Sequence, residues 1–366
     1  MFELSQSNVV DYLLDRGEIS SADVLIQQLG GGVSSVVIKV MDANGGEPVG
    51  TDMRTPGQIK RGVPDTRMRA GKCMVLKQPK EHFAVATTWR VDTDRIWLER
   101  DALGMLSTVM PAGTLPAVMW ADTANQILAI SPAPPEYVNF KTLLLAGKTF
   151  RWPITAAARW LAQLHMATAG MATPELFNNQ RLFQQQRIVP YLKYPQAAHP
   201  VVADRLELLG EFLLSQPVCL IHGDFSPKNI LIASDAVTER GIFVVDFEVV
   251  FRGQPLFDIT TLMNHLLLKG FYHAPQWRPF MLLADEAWHA YQQAATPRLL
   301  AAAGQWGGIL LGGLLLARVD GQSPVEYLTD ELKRQAVRDC AVALLKSGGS
   351  MDDALDAVGE HLGQLG

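Results

Sequence analysis

The eight residues His222-Gly223-Asp224-Phe225-Ser226-Pro227-Lys228-Asn229 constrain this chain more than any other part of it. One apolar run, VCLI at 218–221, delivers the segment, and another, ILIA at 230–233, carries the chain away. An acid and an amide are therefore held on one loop between two buried strands, five positions apart. Asp224 in such a loop suits a base that accepts the proton of an attacking hydroxyl. Asn229 suits a ligand for Mg2+, and together these are parts of a phosphoryl-transfer site. The plain alternative is an ordinary turn, because His, Gly, Asp, Ser, Pro and Asn all favour turns.

A second segment speaks against the ordinary turn. Ile242–Val245 (IFVV) reads as a buried strand that ends in Asp246-Phe247-Glu248, 22 residues after Asp224. Hard cations take carboxylate and amide oxygens together with nucleotide phosphates. Asp246 and Asn229 supply such oxygens, and Glu248 adds one if the extended alternation continues past Asp246. The remaining parts of a kinase are then sought in chain order. Lys77, at the end of the third strand, is expected on the α- and β-phosphates, and Glu99 on the following helix is expected to pair with it. Lys39, in VVIK, is a decoy: it follows Gly32 by only seven residues, too few for a return strand. The run Gly30-Gly31-Gly32 with Ser34 and Ser35 offers backbone N–H groups to phosphates, or is simply a tight hairpin.

The periodicity divides the chain unevenly. Asn8–Arg16 reads as an amphipathic helix, and Val24–Leu29, Val33–Val40, Cys73–Leu76 and Ile127–Ile130 as strands, with a helix over Thr93–Val109. Residues 42–72 read as a long connection rich in Gly, Pro, Arg and Asp. After the break SPAPPE at 131–136 the pattern is mostly helical. These observations predict an α+β, bilobal enzyme: an N-terminal nucleotide-binding lobe over 1–131 and a C-terminal catalytic and substrate lobe over 132–366. Leu299–Ala317 is a run of 19 residues without a charge, long enough to span a bilayer. It also holds five glycines and Gln305, so a buried core helix is the better expectation.

Composition excludes several classes. With 48% hydrophobic and 19% charged residues the chain can build a large core, and a net charge of −5 without a basic run argues against nucleic acid. Three scattered cysteines and no apolar leader favour a cytoplasmic protein. A membrane-anchored module using 299–317 is the rival to that placement, and a homodimer stays open.

HGDFSPKNIL followed by VVDFE resembles the aminoglycoside phosphotransferase/choline kinase superfamily over most of the chain. LKQ at 76–78, Trp89, DRIWLERDAL at 94–103 and DFEVVFRGQPLFDI at 246–259 are most similar to methylthioribose kinase. The resemblance implies a protein-kinase-like fold, ATP between the lobes near Ile130, Ser131 and Ala133, and a metal shared by Asp246 and Glu248. It also implies arginine contacts to substrate from the C-terminal lobe, where this chain has Arg318; the alternative is a helix-end cation that complements a dipole.

Only eleven residues separate Asp246 from Asp258. Asp258 reads as a helix N-cap and as a holder of the catalytic-loop backbone. That leaves no room for an activation loop, and Gly223 stands where a loop-phosphate-binding arginine would be. A small-molecule acceptor is expected: a polyol or sugar, thiosugars such as methylthioribose included. Aminoglycosides, choline or other amino alcohols are the alternative. A nucleotide-binding regulator without catalysis is the rival of another class. Tyr191, Tyr194, Phe271, Tyr272, Trp277 and Trp306 are read as core or pocket lining, and His165 and His265 as core histidines.

Overall fold

The computed structural model describes residues 2–29, 34–42, 73–81, 89–233 and 241–365. The chain divides into two compact units, Met1–Ala84 with Pro116–Pro132, and Val85–Leu115 with Ala133–Gly366. The glycine run at 30–32 and the connection over 43–72 lie outside the described residues.

In the first unit, helix α1 (Val9–Asp15) accompanies strands β1 (Val24–Gln28), β2 (Ser35–Asp42), β3 (Cys73–Pro79), β4 (Val118–Asp122) and β5 (Ile127–Ile130). They pair antiparallel in the order β1-β2-β3-β5-β4. β3 is central, with Lys77 opposite Val37 on one side and Leu128 on the other. A central strand is covered on both sides, and Met74 to Gln78 are all buried. Ile38 and Val40 of β2 point with Met74 and Leu76 into a core closed by Leu4, Val9 and Leu13. Asp122 ties α1 to the β4–β5 hairpin, accepting from Tyr12 Oη at 2.8 Å and Arg16 Nη1 at 3.1 Å. Its carboxyl is held below the usual range. Burial pushes it up, but the hydrogen bonds from Asn125 and Tyr12 and the charge of Arg16 outweigh that. β4 is not predicted by the sequence. Its half-buried residues show no clean alternation, and its partner β5 makes it a strand.

The second unit holds α2 (Arg95–Leu106), β6 (Tyr137–Asn139), α3 (Phe140–Leu145), α4 (Arg151–Thr168) and α5 (Gln180–Phe183), which runs into a π-helix over Gln184–Lys193. Then come α6 (Ala203–Ser215), β7 (Cys219–Ile221), β8 (Ile230–Ala233), β9 (Ile242–Val244), β10 (Phe251–Gly253), α7 (Pro255–His273), α8 (Arg278–Ala294), α9 (Pro297–Leu300), α10 (Ala303–Asp320), α11 (Glu331–Ser347) and α12 (Met351–Gly363). The strands form two small antiparallel sheets, β10-β7 and β6-β8-β9. The α+β architecture expected from the sequence, strand-rich first and helical after, is the one observed.

The apolar run at 299–317 is two helices, broken at Ala301-Ala302. α10 is apolar almost all round and buried from Gly307 to Val319, as a core helix must be. A Cβ on Gly308 would lie 2.4 Å from the Gly348 carbonyl oxygen, so only glycine lets the α11–α12 turn approach here. No helix among the described residues is long and apolar enough to cross a membrane.

Candidate active site

β7 ends at Ile221, and the HGDFSPKN loop follows. Gly223 turns the chain with φ +76°, and a Cβ there would lie 2.4 Å from the Val249 carbonyl oxygen. Two separate demands therefore require glycine. The loop amides are held by Asp258, whose carboxylate accepts from His222 N at 2.6 Å and from Gly223 N at 2.9 Å. The expected grip on the loop backbone is present, but Asp258 is not an N-cap. α7 starts at Pro255 behind Gln254, because proline suits the first helical position, and Asp258 sits in the first turn. His165 fixes Asp258 in turn: one ring nitrogen lies 3.2 Å from Oδ2, and the other 2.8 Å from the Tyr291 hydroxyl. The core histidine of the sequence reading is thus a buttress of the loop.

His222 links this loop to the end of β9. Nδ1 accepts from Asp224 N at 3.2 Å, and Nε2 donates to the Val245 carbonyl at 3.1 Å. Burial lowers its pKa, outweighing the pull of Asp258, Asp224 and Asp246 toward the charged form. A neutral ring with its proton on Nε2 fits both bonds.

Asp224 and Asn229 are brought together as expected. Asn229 Nδ2 donates to the Asp224 carbonyl at 2.9 Å and to its Oδ2 at 3.1 Å. Two cations complete the surroundings: Lys228 Nζ lies 2.9 Å from Oδ2, and Arg187 Nη2 3.4 Å from Oδ1. Burial would raise the Asp224 carboxyl, but Lys228, then Arg187, then Arg318 hold it well below the usual carboxylate range.

Sequence reasoning missed both neighbours. Arg187 comes from the π-helix, where Pro190 has no N–H to give the Gln186 carbonyl four residues back. That carbonyl accepts from Arg187 Nη1 at 2.7 Å instead, while Arg187 Nε donates to the Gly223 carbonyl at 2.5 Å. The proline inside the helical run QQQRIVPYLK was the available signal. Lys228 lay in plain view inside the motif, four residues after the acid it meets.

Asp246 follows β9 with φ +73°. The extended run has ended by then, so alternation does not put Glu248 beside Asp246, and that inference is corrected. Glu248 instead meets the buried Arg95 of α2, Oε2 to Nε 3.4 Å, and its carbonyl accepts from Gln186. Glu99, one helical turn beyond Arg95, is buried, and its Oε1 accepts from Phe247 N at 3.3 Å. α2 thus holds the two residues that follow Asp246. Among the described residues no three His, Cys, Asp or Glu converge as a metal cluster.

Lys77 is buried mid-strand in β3, inside the sheet of the first unit, while Lys39 is half-buried on β2. Ser34 is buried at the start of β2. Ile130 ends β5 opposite Val75, and Ser131 exchanges two hydrogen bonds with Ala117, at 2.8 and 2.9 Å. Gly30, Gly31 and Gly32 fall outside the described residues. Arg318 is buried in the last turn of α10. Nη1 donates to the Tyr191 hydroxyl at 3.1 Å and the Ser323 carbonyl at 2.9 Å, and Nη2 lies 3.3 Å from His265 Nε2. Of the aromatics, Phe271 is core, Trp306 stacks on Phe212 at 4.1 Å, and Tyr194 is exposed.

Residues 153–306, which include β7–β10 and the loop, match the family described as "Phosphotransferase enzyme family". No curated protein matches the sequence. Among solved structures, a choline/ethanolamine kinase family protein from Mesorhizobium loti aligns with a TM-score of 0.52 at 15% identity, covering 96% of this chain and 97% of that one. An amicoumacin kinase in complex with AMP-PNP, Ca2+ and Ami aligns with a TM-score of 0.51 at 14% identity, covering 93% and 94%. At such identities the two structures speak for the protein-kinase-like fold, and the family match speaks for the chemistry. Over residues 153–306 the chain is similar to this phosphotransferase family, which agrees with the resemblance to the aminoglycoside phosphotransferase/choline kinase superfamily.

Proposed function

We propose that this protein moves the γ-phosphate of ATP to a hydroxyl of a small molecule, with Asp224 as the catalytic base. The observation that carries the reading is the construction around Asp224: a buried carboxylate, flanked by Lys228 and Arg187, on a loop whose amides, ring and amide side chain are all anchored. The acceptor oxygen forms a bond to the γ-phosphorus and the bond to the β-γ bridging oxygen breaks. ADP leaves with that electron pair, and the hydroxyl proton passes to Asp224. A carboxylate with so low a pKa is a weak base. It suits a loose transition state in which the proton leaves late and orientation is the main requirement. Lys228, the partly exposed cation on Oδ2, is the partner that can yield to the hydroxyl.

The donor set fits a hard cation. Asn229 uses its Nδ2 on Asp224, which leaves its oxygen for a metal, and Asp246 brings a carboxylate. Bound Mg2+ would neutralise charge on the β- and γ-phosphates. Glu248 is a weaker candidate, because Arg95 already engages it. On the nucleotide side we assign Lys77, Glu99, Ser34, Ile130, Ser131 and Gly30–Gly32. The shortness of the 247–254 segment, which carries β10 and ends at α7, supports a small acceptor over a protein. Among the described residues no acidic cluster offers itself to a cationic acceptor, which favours a polyol, sugar or thiosugar, methylthioribose among them.

A coupled ADP-release assay over sugars, thiosugars, amino alcohols and aminoglycosides tests the reading. Asp224→Asn lowers kcat about 10³-fold with nucleotide affinity nearly unchanged. Full activity in that variant, or no turnover with any acceptor, defeats it.

A further inference from the structure

Most cations in this part of the second unit have a carboxylate within ion-pair distance. Arg187 and Lys228 share Asp224. Arg95 meets Glu248, and Lys141 meets Glu326. Two buried cations remain, Arg318 of α10 and Lys269 of α7, and neither forms an ion pair with a carboxylate of the described residues. Lys269 donates only to the His265 carbonyl, at 2.9 Å, and its Nζ lies 5.2 Å from the centre of the Tyr327 ring. Arg318 bonds only uncharged groups, and its Nε, fully shielded from solvent, has no acceptor. The Tyr327 hydroxyl is shielded as well and has no partner.

Tyr191 joins this cluster to the catalytic loop. The Arg318 guanidinium stands 5.3 Å from the centre of its ring, and the Arg187 guanidinium, which touches Asp224, stands 5.2 Å from the same ring. Two shielded donors without an acceptor, Arg318 Nε and the Tyr327 hydroxyl, therefore belong to a cluster that Tyr191 links to the loop. An arginine cannot shed its proton, so this buried guanidinium, without a direct ion pair, relies on the longer-range charges of Asp224 and Glu326. The Glu326 carboxylate is largely exposed and pairs with Lys141, so it acts on Arg318 and Lys269 only at longer range. Burial first, then the charges of Lys141 and Arg318, lower the Lys269 pKa to about 7 against the opposing pull of Glu326.

We infer that the acceptor is an anion: a hydroxylated small molecule carrying a carboxylate or phosphate that docks on Arg318, Lys269 and the Tyr327 hydroxyl while its hydroxyl meets Asp224. This rests on the kinase reading above and replaces its neutral polyol, sugar or thiosugar with an acidic acceptor. The forked guanidinium supplies the planar donor pair that carboxylates and phosphates accept. The same wall repels choline and aminoglycosides, which are cations.

The test compares matched acceptors in ADP release by the full-length protein: glycerol with glycerate and glycerol 3-phosphate, glucose with gluconate and glucose 6-phosphate, and choline and kanamycin as cations. Within a set, an acidic member exceeds its neutral parent in kcat/KM by at least about tenfold, and which acid leads separates carboxylate from phosphate. Arg318→Gln collapses that preference through KM, and Arg318→Lys restores part of it. Lys269→Met, which keeps the side-chain volume, is the second variant should Arg318→Gln not fold. Neutral or cationic acceptors used as well as the acids overturn the inference. A thermal-shift series with the same compounds is independent of turnover: acids raise the Tm of the wild type and not of the variants. Absence of that shift overturns the anion site. If the shift is present but no acceptor releases ADP, the kinase reading fails and the anion site stands.

Discussion

Two regions of this molecule carry chemistry-bearing residues in opposite ways. In the first unit, Lys77 is positioned by a backbone ladder: β3 lies between β2 and β5, and the register alone decides where its side chain starts. In the second unit, the Asp224 loop has no ladder of its own. Asp258, Arg187 and Asn229 hold it through side chains, the first two from 34 and 37 positions away along the chain. A strand residue is therefore robust to the loss of any one neighbour, whereas the loop depends on a few individual groups.

That contrast can be broken at its strong end first. Asp258→Ala leaves two buried loop amides without acceptors and costs about 3–5 kcal/mol. Urea unfolding checks the stability, and kcat falls with it. If the variant is as stable as the wild type, the loop does not hang on Asp258. On the ladder side, Lys77→Ala weakens nucleotide binding roughly tenfold or more while stability changes little, and Lys39→Ala stays within about twofold. Calorimetric titration with an ATP analogue separates them, and equal losses would remove the preference for Lys77.

Arg187→Met sharpens the comparison. Arg187 is a positioning residue, acting through Gly223 and Asp224. Its removal takes away a cation that holds the Asp224 carboxyl low. The folded pKa therefore rises, the acid limb of the kcat profile moves to higher pH, and kcat at neutral pH falls about tenfold. A purely structural role would lower kcat without moving that limb. The smallest effect is at Lys269. Its folded pKa, about 7, lies below that of an unfolded lysine, so the native state binds fewer protons between about pH 7 and 10 and gains stability as pH rises. Lys269→Met removes a buried charge. The variant is more stable than the wild type at pH 6, and its advantage shrinks by pH 9. Parallel melting curves across that range show it.

The residues legible in the sequence are those whose role is written locally. HGDFSPKN between two apolar runs, with VVDFE behind it, was sufficient to put Asp224 and Asn229 on one loop and Asp246 after a strand, because short strands and turns follow from neighbouring residues. Asp258 was found too, though for a helix cap it does not form. Arg187, Arg95 and Lys228 were not read. Nothing adjacent to Arg187 or Arg95 mentions Asp224 or Glu248, and Lys228 looked like any surface lysine. The alternation argument for Glu248 does not hold, because the extended run stops before Asp246, where φ turns positive.

The sequence by itself determined the strand-rich first part, the helical remainder and the loop between two short strands, since these rest on composition, periodicity and contiguous motifs. Only the tertiary structure decided which charges meet. Asp224 acquires two cations from separate places, and Arg318 and Lys269 from two helices acquire no acid at all. Pairing is a matter of a few ångströms in space, and chain order carries no record of that distance.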